Sequence, residues 1–222
     1  MSEQTVHHTS PEHFPHEVPV LYHDDWLVVL NKPSGLLSVK GIGSNKIDCL
    51  AVRVASAIEG ARIVHRLDMD TSGVIVMAKN ANIHRELSRQ FQDREVRKTY
   101  IAVVSGALDE ESGLIDMPIR KDLDNPPCQC VDFERGKPSQ TIWRVLKRQQ
   151  DRTRLELKPI TGRSHQLRLH LREIGHPILG DDLYASKAQQ QLVSRLQLHA
   201  QNLELVHPIS KMKTEFTAEC PF

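Results

Sequence analysis

Apolar residues in this chain come in short blocks whose spacing changes from place to place. Residues 26–31 (WLVVLN) are almost continuously apolar and end at Lys32-Pro33-Ser34-Gly35, which predicts a buried strand running into a turn. Two more apolar runs, 61–67 and 74–78, read as strands on either side of Asp68-Met69-Asp70-Thr71-Ser72-Gly73. From Asn82 to Arg94, Ile83, Leu87 and Phe91 recur every four residues, the period of an amphipathic helix, whose other side carries Arg85 and Arg89. Residues 99–105 are β-branched and aromatic and predict a strand. Thr141, Trp143 and Val145 alternate with more polar neighbours and pair in expectation with the strand around Leu155-Glu156-Leu157. Helical spacing returns from Arg163 to Ile174, with Leu167, Leu171 and Ile174 on one face and His165, Arg168 and Arg172 on the other. Residues 202–207 and 214–218 read as closing strands.

Strands with helices interspersed irregularly predict an α+β fold with a mixed, largely antiparallel sheet flanked by helices. No repeat or linker divides the chain, so a single domain is expected over 19–222. Residues 1–18, with four His and two Pro, are expected to be a flexible arm. The Asp122–Pro127 break suggests two lobes within that domain.

Composition narrows the classes. At 222 residues and 39% hydrophobic content the chain can bury a sizeable core. No apolar run approaches the roughly 20 residues of a membrane-spanning helix, and MSEQTVHHTSPEHF lacks the apolar centre of a secretory signal. Cys49, Cys128, Cys130 and Cys220 lack zinc-knuckle spacing and read as reduced thiols of a cytoplasmic protein. Net charge is +1, so the distribution of charge says more than its sum. Lys79 to Tyr100 holds six Lys/Arg against three acids, and Ile160 to Arg172 holds three Arg and no acid. These stretches fit either an anion-attracting surface or ordinary solvated helix faces.

The stretch richest in chemistry is His65-Arg66-Leu67-Asp68-Met69-Asp70-Thr71-Ser72-Gly73, a polar loop held at both ends by core. A calcium loop is disfavoured, because its twelfth position is Lys79 where a bidentate Glu is needed. A structural turn capped by Asp and Ser, and a catalytic carboxylate beside an Arg, both fit. His165 and His170 are five apart, not the four of a zinc-binding helix pair.

His65-Arg66-Leu67-Asp68-x-x-Thr71-Ser72-Gly73 resembles the catalytic signature of the RluA-type pseudouridine synthases. In the same order come Asn31-Lys32-Pro33-Ser34-Gly35-Leu36, Lys98-Thr99-Tyr100, Gly136-Lys137-Pro138-Ser139-Gln140-Thr141, Thr161 to His170 (TGRSHQLRLH), and Gly175-His176-Pro177-Ile178-Leu179-Gly180-Asp181-x-x-Tyr184. The resemblance runs from about Val20 to the C-terminus. It implies the pseudouridine synthase fold with a central RNA-binding cleft, and no cofactor or metal. The implied reaction breaks the C1′–N1 bond of a uridine in RNA and rejoins the rotated uracil through C5.

By resemblance Asp68 is the catalytic aspartate, Arg168 its partner (Arg163 second), and Tyr100 stacks on the target base. Arg66 is expected to enter the RNA stack and help expel the uridine. His65, Thr71, Lys98, Arg163, His165, Gln166 and Leu167 are expected to contact substrate, with Leu167 in the apolar wall of the uracil pocket. Arg85, Arg89, Arg94, Arg97 and Lys98 are expected on phosphates. The short members of the family that lack an S4 RNA-binding domain are the nearest likeness. They imply dual action on one uridine of 23S rRNA and one in a tRNA anticodon stem-loop, by a monomer with no membrane association. A single-site enzyme, or an RNA-binding protein of the same fold without turnover, is the alternative.

Overall fold

The structure is a computed structural model and describes residues 18–41 and 47–222. The expected arm lies outside the described residues except for Val18, which is buried in the core.

Ten strands form one sheet. The strands β1 (Val20–His23), β2 (Leu27–Lys32), β3 (Arg62–Ile63) and β4 (Ser72–Ala78) make one end of it. Its other members are β5 (Arg97–Ser105), β6 (Ser112–Asp116), β9 (Gln140–Arg148), β10 (Arg152–Pro159), β11 (Leu198–Val206) and β12 (Lys213–Thr217). The order is β1-β2-β4-β11-β5-β10-β9-β6, with β3 added to β4 and β12 to β11. The β4–β11 pair is parallel and the other pairs are antiparallel, so the α+β, largely antiparallel expectation holds. A separate hairpin, β7 (Ile119–Lys121) with β8 (Gln129–Val131), carries the Asp122–Pro127 break as its turn. That break therefore closes a hairpin and does not separate two lobes.

Helices cover both faces. The helix α1 (Leu50–Ala55) packs Leu50 and Val54 on Val28, Leu30, Ile75 and Met77. On the opposite face α2 (Ala81–Gln92) packs Ile83 and Leu87 on Leu27, Val29, Val74 and Val76. Burial on both faces is why β2 and β4 read as continuous apolar runs without alternation. Asn80 caps α2, its side chain accepting from the N–H of Asn82 and Ile83. A third helix, α3 (Gln166–Glu173), packs Leu167 and Leu171 on Leu155, Leu157, Ala102 and Val104. The short α4 (Lys187–Gln190) follows.

Two expectations change. The run 61–67 is strand only at Arg62–Ile63. Beyond Ile63 a side chain replaces the ladder: His65 Nε2 accepts the N–H of Val76 at 3.1 Å. The helix expected from Arg163 starts at Gln166, because the Gln166 amide ties down the turn before it. Its Oε1 accepts from Thr161 Oγ1 and from the N–H of Arg163.

The sheet forks, and the fork makes the site. β4 and β11 pair only at Ser72–His199 and Gly73–Ala200, after which β4 continues against β3 and β11 against β12. At the junction Gly73 has φ +117, and a Cβ there would lie 2.1 Å from the carbonyl oxygen of Ala200. Backbone meets backbone, so only glycine fits. Gly73→Ala is expected to cost about 3 kcal/mol of stability or more, measured by chemical denaturation; a variant as stable as the parent would contradict this close approach.

Candidate active site

The loop Leu67–Thr71 enters β4 from above the fork and is held from below. Lys32 is fully buried, and its Nζ donates to the carbonyls of Pro33 (2.8 Å), Leu36 (2.6 Å) and Met69 (2.8 Å). The carbonyl of Asp70 accepts from Ser34 Oγ, and that of Leu67 from Ser38 Oγ. At the far end Ser72 Oγ lies 2.8 Å from His199 Nδ1 and accepts from Arg195 Nη2. Burial pushes the Lys32 ammonium from the ordinary 10.5 down to about 7, against the opposing charges of Asp70 and Asp68.

The loop aims Asp68 into a cleft of about 730 Å³. Arg168 Nη1 lies 3.9 Å from Asp68 Oδ2, and His165 Nε2 lies 4.0 Å from Oδ1. Arg168 is buried, and Asp181 grips it at both ends of its fork: Nε to Oδ2 at 2.7 Å, Nη2 to Oδ1 at 2.6 Å. Nη2 also reaches Asp182 at 2.8 Å. Asp181 Oδ1 in turn accepts from the N–H of Leu183 and Tyr184. Burial works against the charge on Arg168, but hydrogen bonds and charge from Asp181, with Asp68 and Asp182, hold it firmly protonated. Arg168, expected beside Asp68, is enclosed between Asp181 and Asp68 and is not part of a solvated face.

Tyr100, on β5, lines the same cleft, and its hydroxyl is held protonated, first by burial and then by the Asp68 charge. Leu167 forms part of the apolar wall. Arg66 is exposed on the lining, and Arg163 is half-buried there. Lys98 is half-buried, its ammonium weakened by burial, with no acid partner among the described residues. Thr71 Oγ1 lines the cleft, buried and without a hydrogen-bond partner among the described residues.

Other expected residues serve the fold. His65 stacks on Phe91 with ring centroids 4.5 Å apart, and burial pushes its imidazole down to about 3. Uncharged, and with Nε2 committed to Val76, it shapes the wall but offers no charge to a phosphate. Gln166 spends its amide on Thr161, Arg163, Gln140 and Thr141. Arg85 and Arg89 lie outside the cleft lining. Arg89 is clamped by Glu86, Asp93 and Glu95, which leaves little charge for RNA, whereas Arg85 is exposed on the same helix. Arg94, at the end of that basic stretch, does line the cleft. The sequence reading gave no role to Lys32, Asp181 or Tyr184, although each sits in a quoted motif. Among the described residues no group of three or more His, Cys, Asp or Glu could hold a metal ion.

The cleft thus carries Arg66, Arg94, Lys98, Arg163 and Arg168 around one lining carboxylate, on a chain of net charge +1. A polyanion fits that rim, and a carboxylate kept beside a guanidinium fits chemistry on a sugar inside it. Residues 26–173 match the model of the RNA pseudouridylate synthase family, and the chain belongs to that family: it is an enzyme that isomerises uridine in RNA to pseudouridine. Among individual proteins, it is 50% identical over 204 residues to the Dual-specificity RNA pseudouridine synthase RluA of Yersinia pestis, covering 91% of this chain and 99% of that one. It is 48% identical over 204 residues to the protein of the same name from Escherichia coli (strain K12), covering 91% and 93%. Its fold is similar to the solved Human RNA Pseudouridylate Synthase Domain Containing 1, with a TM-score of 0.79 and 27% identity over 96% of this chain and 87% of that one. Human RNA Pseudouridylate Synthase Domain Containing 4 gives 0.73 and 25% over 91% and 88%.

Lys32 makes the site's support sensitive to pH. Between about pH 7 and 10.5 the unfolded chain holds a proton that folded Lys32 has released, so stability rises with pH across that window. Urea unfolding of the parent and of Lys32→Met across this range is expected to show a steeper rise in the parent, because Lys98, also weakened by burial, still contributes in both; an equal rise in both would contradict the role of Lys32.

Proposed function

We propose that the enzyme acts on uridines in stem-loop RNA, one in 23S rRNA and one in a tRNA anticodon arm, in the cytoplasm. Dual specificity is what the relatives' names state, and they match 91% of this chain. The four cysteines are unpaired, as a reducing compartment requires. Among the described residues no helix is long and apolar enough to cross a membrane.

Asp68 carries the reaction in this reading, and the supporting observation is its position in the cleft between Arg168 and His165. Attack on C1′ and removal of a sugar proton both need a carboxylate beside the sugar, and the Arg168 guanidinium lies 3.9 Å from that of Asp68. The C1′–N1 bond breaks, C5 joins C1′, the hydrogen on C5 leaves as a proton and the freed N1 takes one up, so nothing is gained or lost overall. Tyr100 stacks on the base and, being protonated, offers a neutral hydroxyl beside it. A base within a helical stack cannot reach Asp68, so the uridine is flipped out, and exposed Arg66 fills the gap it leaves. Lys98, Arg163 and Arg94 take backbone phosphates, and stem-loop RNA is read chiefly by shape. Thr71 and Leu167 contact the inserted nucleotide.

In a tritium-release or carbodiimide-stop assay on stem-loop RNA, the parent is expected to turn over. Asp68→Asn is expected to lose at least about 10³-fold in rate while still binding RNA. Normal turnover by that variant would overturn the role of Asp68. A parent that binds RNA and never turns over would favour the non-catalytic alternative. For the substrates, pseudouridine mapping in a strain lacking the gene is expected to show loss at one 23S rRNA site and one tRNA site. Loss in one RNA alone would reduce the proposal to a single-site enzyme.

A further inference from the structure

The Gly180-Asp181-x-x-Tyr184 motif has one residue whose chemistry the reaction above does not use. Tyr184 is buried, and its hydroxyl accepts the N–H of Gln129, on β8, at 2.7 Å. The same oxygen lies 2.9 Å from His165 Nδ1. A phenol that accepts from Gln129 still has its own proton to give, and the imidazole is the partner within reach of it. Nδ1 is then a bare acceptor, and the ring's own proton sits on Nε2, the atom 4.0 Å from Asp68 Oδ1.

We infer that Tyr184 is a positioning residue for the isomerisation. By donating to His165 Nδ1 it fixes the imidazole in the Nε2–H form and makes His165 a neutral second donor to the Asp68 carboxylate. The inference rests on the catalytic reading of Asp68.

Three features of the geometry support it. His165 has left-handed backbone, φ 53 and ψ 17, a region that residues with a Cβ visit uncommonly. Its side chain is held: the ring meets the edge of Tyr184 at 5.7 Å and 81°. The two Asp68 oxygens face different donors, Oδ2 a guanidinium and Oδ1 an imidazole, so the pair sets the plane of the carboxylate. Tyr184 also lies against the guanidinium groups of Arg168 and Arg172, 5.4 and 5.6 Å from its ring centroid, so one side chain supports both donors to Asp68. At 4.0 Å the His165 contact is looser than a hydrogen bond, as contacts in unliganded sites often are before substrate tightens them.

Charge explains why a neutral donor suits this position. His165 faces Asp68, Arg168, Asp181 and Asp182, and burial above all keeps its imidazole uncharged. Asp68 is already near Arg168 and Lys32, with Asp70 and Tyr100 beside it. A neutral N–H orients the carboxylate without a further cation that would blunt its reactivity. In the opposite tautomer the Nε2 lone pair would face the carboxylate and repel it.

The test uses the full-length enzyme and stem-loop RNA. Tyr184→Phe is expected to lower kcat about tenfold or more, with KM within about twofold of the parent. Gln at position 165 supplies an amide N–H with no tautomer to select. In the His165→Gln background, then, Tyr184→Phe is expected to change kcat by less than about twofold. Independent multiplication of the two effects, or an unimpaired single variant, overturns the inference. Should Tyr184→Phe fail to fold, imidazole ¹⁵N spectra of the parent decide: an Nε2–H tautomer at His165 supports the relay and an Nδ1–H tautomer overturns it. An inactive parent with the Nε2–H tautomer would sink the catalytic reading of Asp68 and leave the relay standing as geometry.

Discussion

The buried ion pair between Arg168 and Asp181 is the constraint on which the site is built. Both side chains are almost wholly withdrawn from water, and removing one member of such a pair costs about 3–5 kcal/mol, because the other is left charged and dry. The pair holds because its geometry is two-pronged and because Asp181 takes two further backbone N–H groups. With its Nε and Nη2 committed, Arg168 has Nη1 left to face Asp68. The guanidinium is therefore fixed before any substrate arrives, and the Asp68 carboxylate meets a cation whose position has already been set.

The fork between β4 and β11 supplies the space for that meeting. The divergence after Gly73 and Ala200 opens the sheet. The gap brings its own unsatisfied groups, and side chains answer them: His65 takes the N–H of Val76, and Lys32 takes the carbonyl of Met69. Several motif residues are thus explained by backbone accounting and need no role toward RNA.

Much of this was legible in the sequence. The apolar runs of β2 and β4, the four-residue period of α2 and the β9–β10 hairpin all follow from burial pattern, and the structure has them near the expected positions. The strand expected through residue 67 was not there, because His65 looks like a strand residue by composition but uses its side chain in place of the ladder. β11 starts earlier than expected, at Leu198, because polar His199 is buried against Ser72 and Ala218 in a way no local pattern reveals. At the site, residue types and order pointed to Asp68, Tyr100 and Arg168, and the cleft brings all three together. What stayed hidden was partnership across long separations. The dependence of Arg168 on Asp181 and of His165 on Tyr184 spans a turn that spacing alone cannot orient. Arg89 is the opposite case: Glu86 and Asp93 stand at helical spacing from it, so its neutralisation was legible from the sequence, while Arg94, five residues on, turns to the cleft.

The central claim is that a prearranged Arg168–Asp181 pair presents an ionised Asp68 to the sugar of a uridine drawn out of its stem-loop. A crystal structure of the enzyme with a stem-loop RNA carrying a non-isomerisable target nucleotide tests it most directly. The account predicts the target nucleotide inside the cleft, its C1′ beside the Asp68 carboxylate, its base on Tyr100, and Arg168 still forked onto Asp181. A nucleotide bound elsewhere, or an Asp68 side chain turned to solvent while Arg168 leaves Asp181, would contradict it.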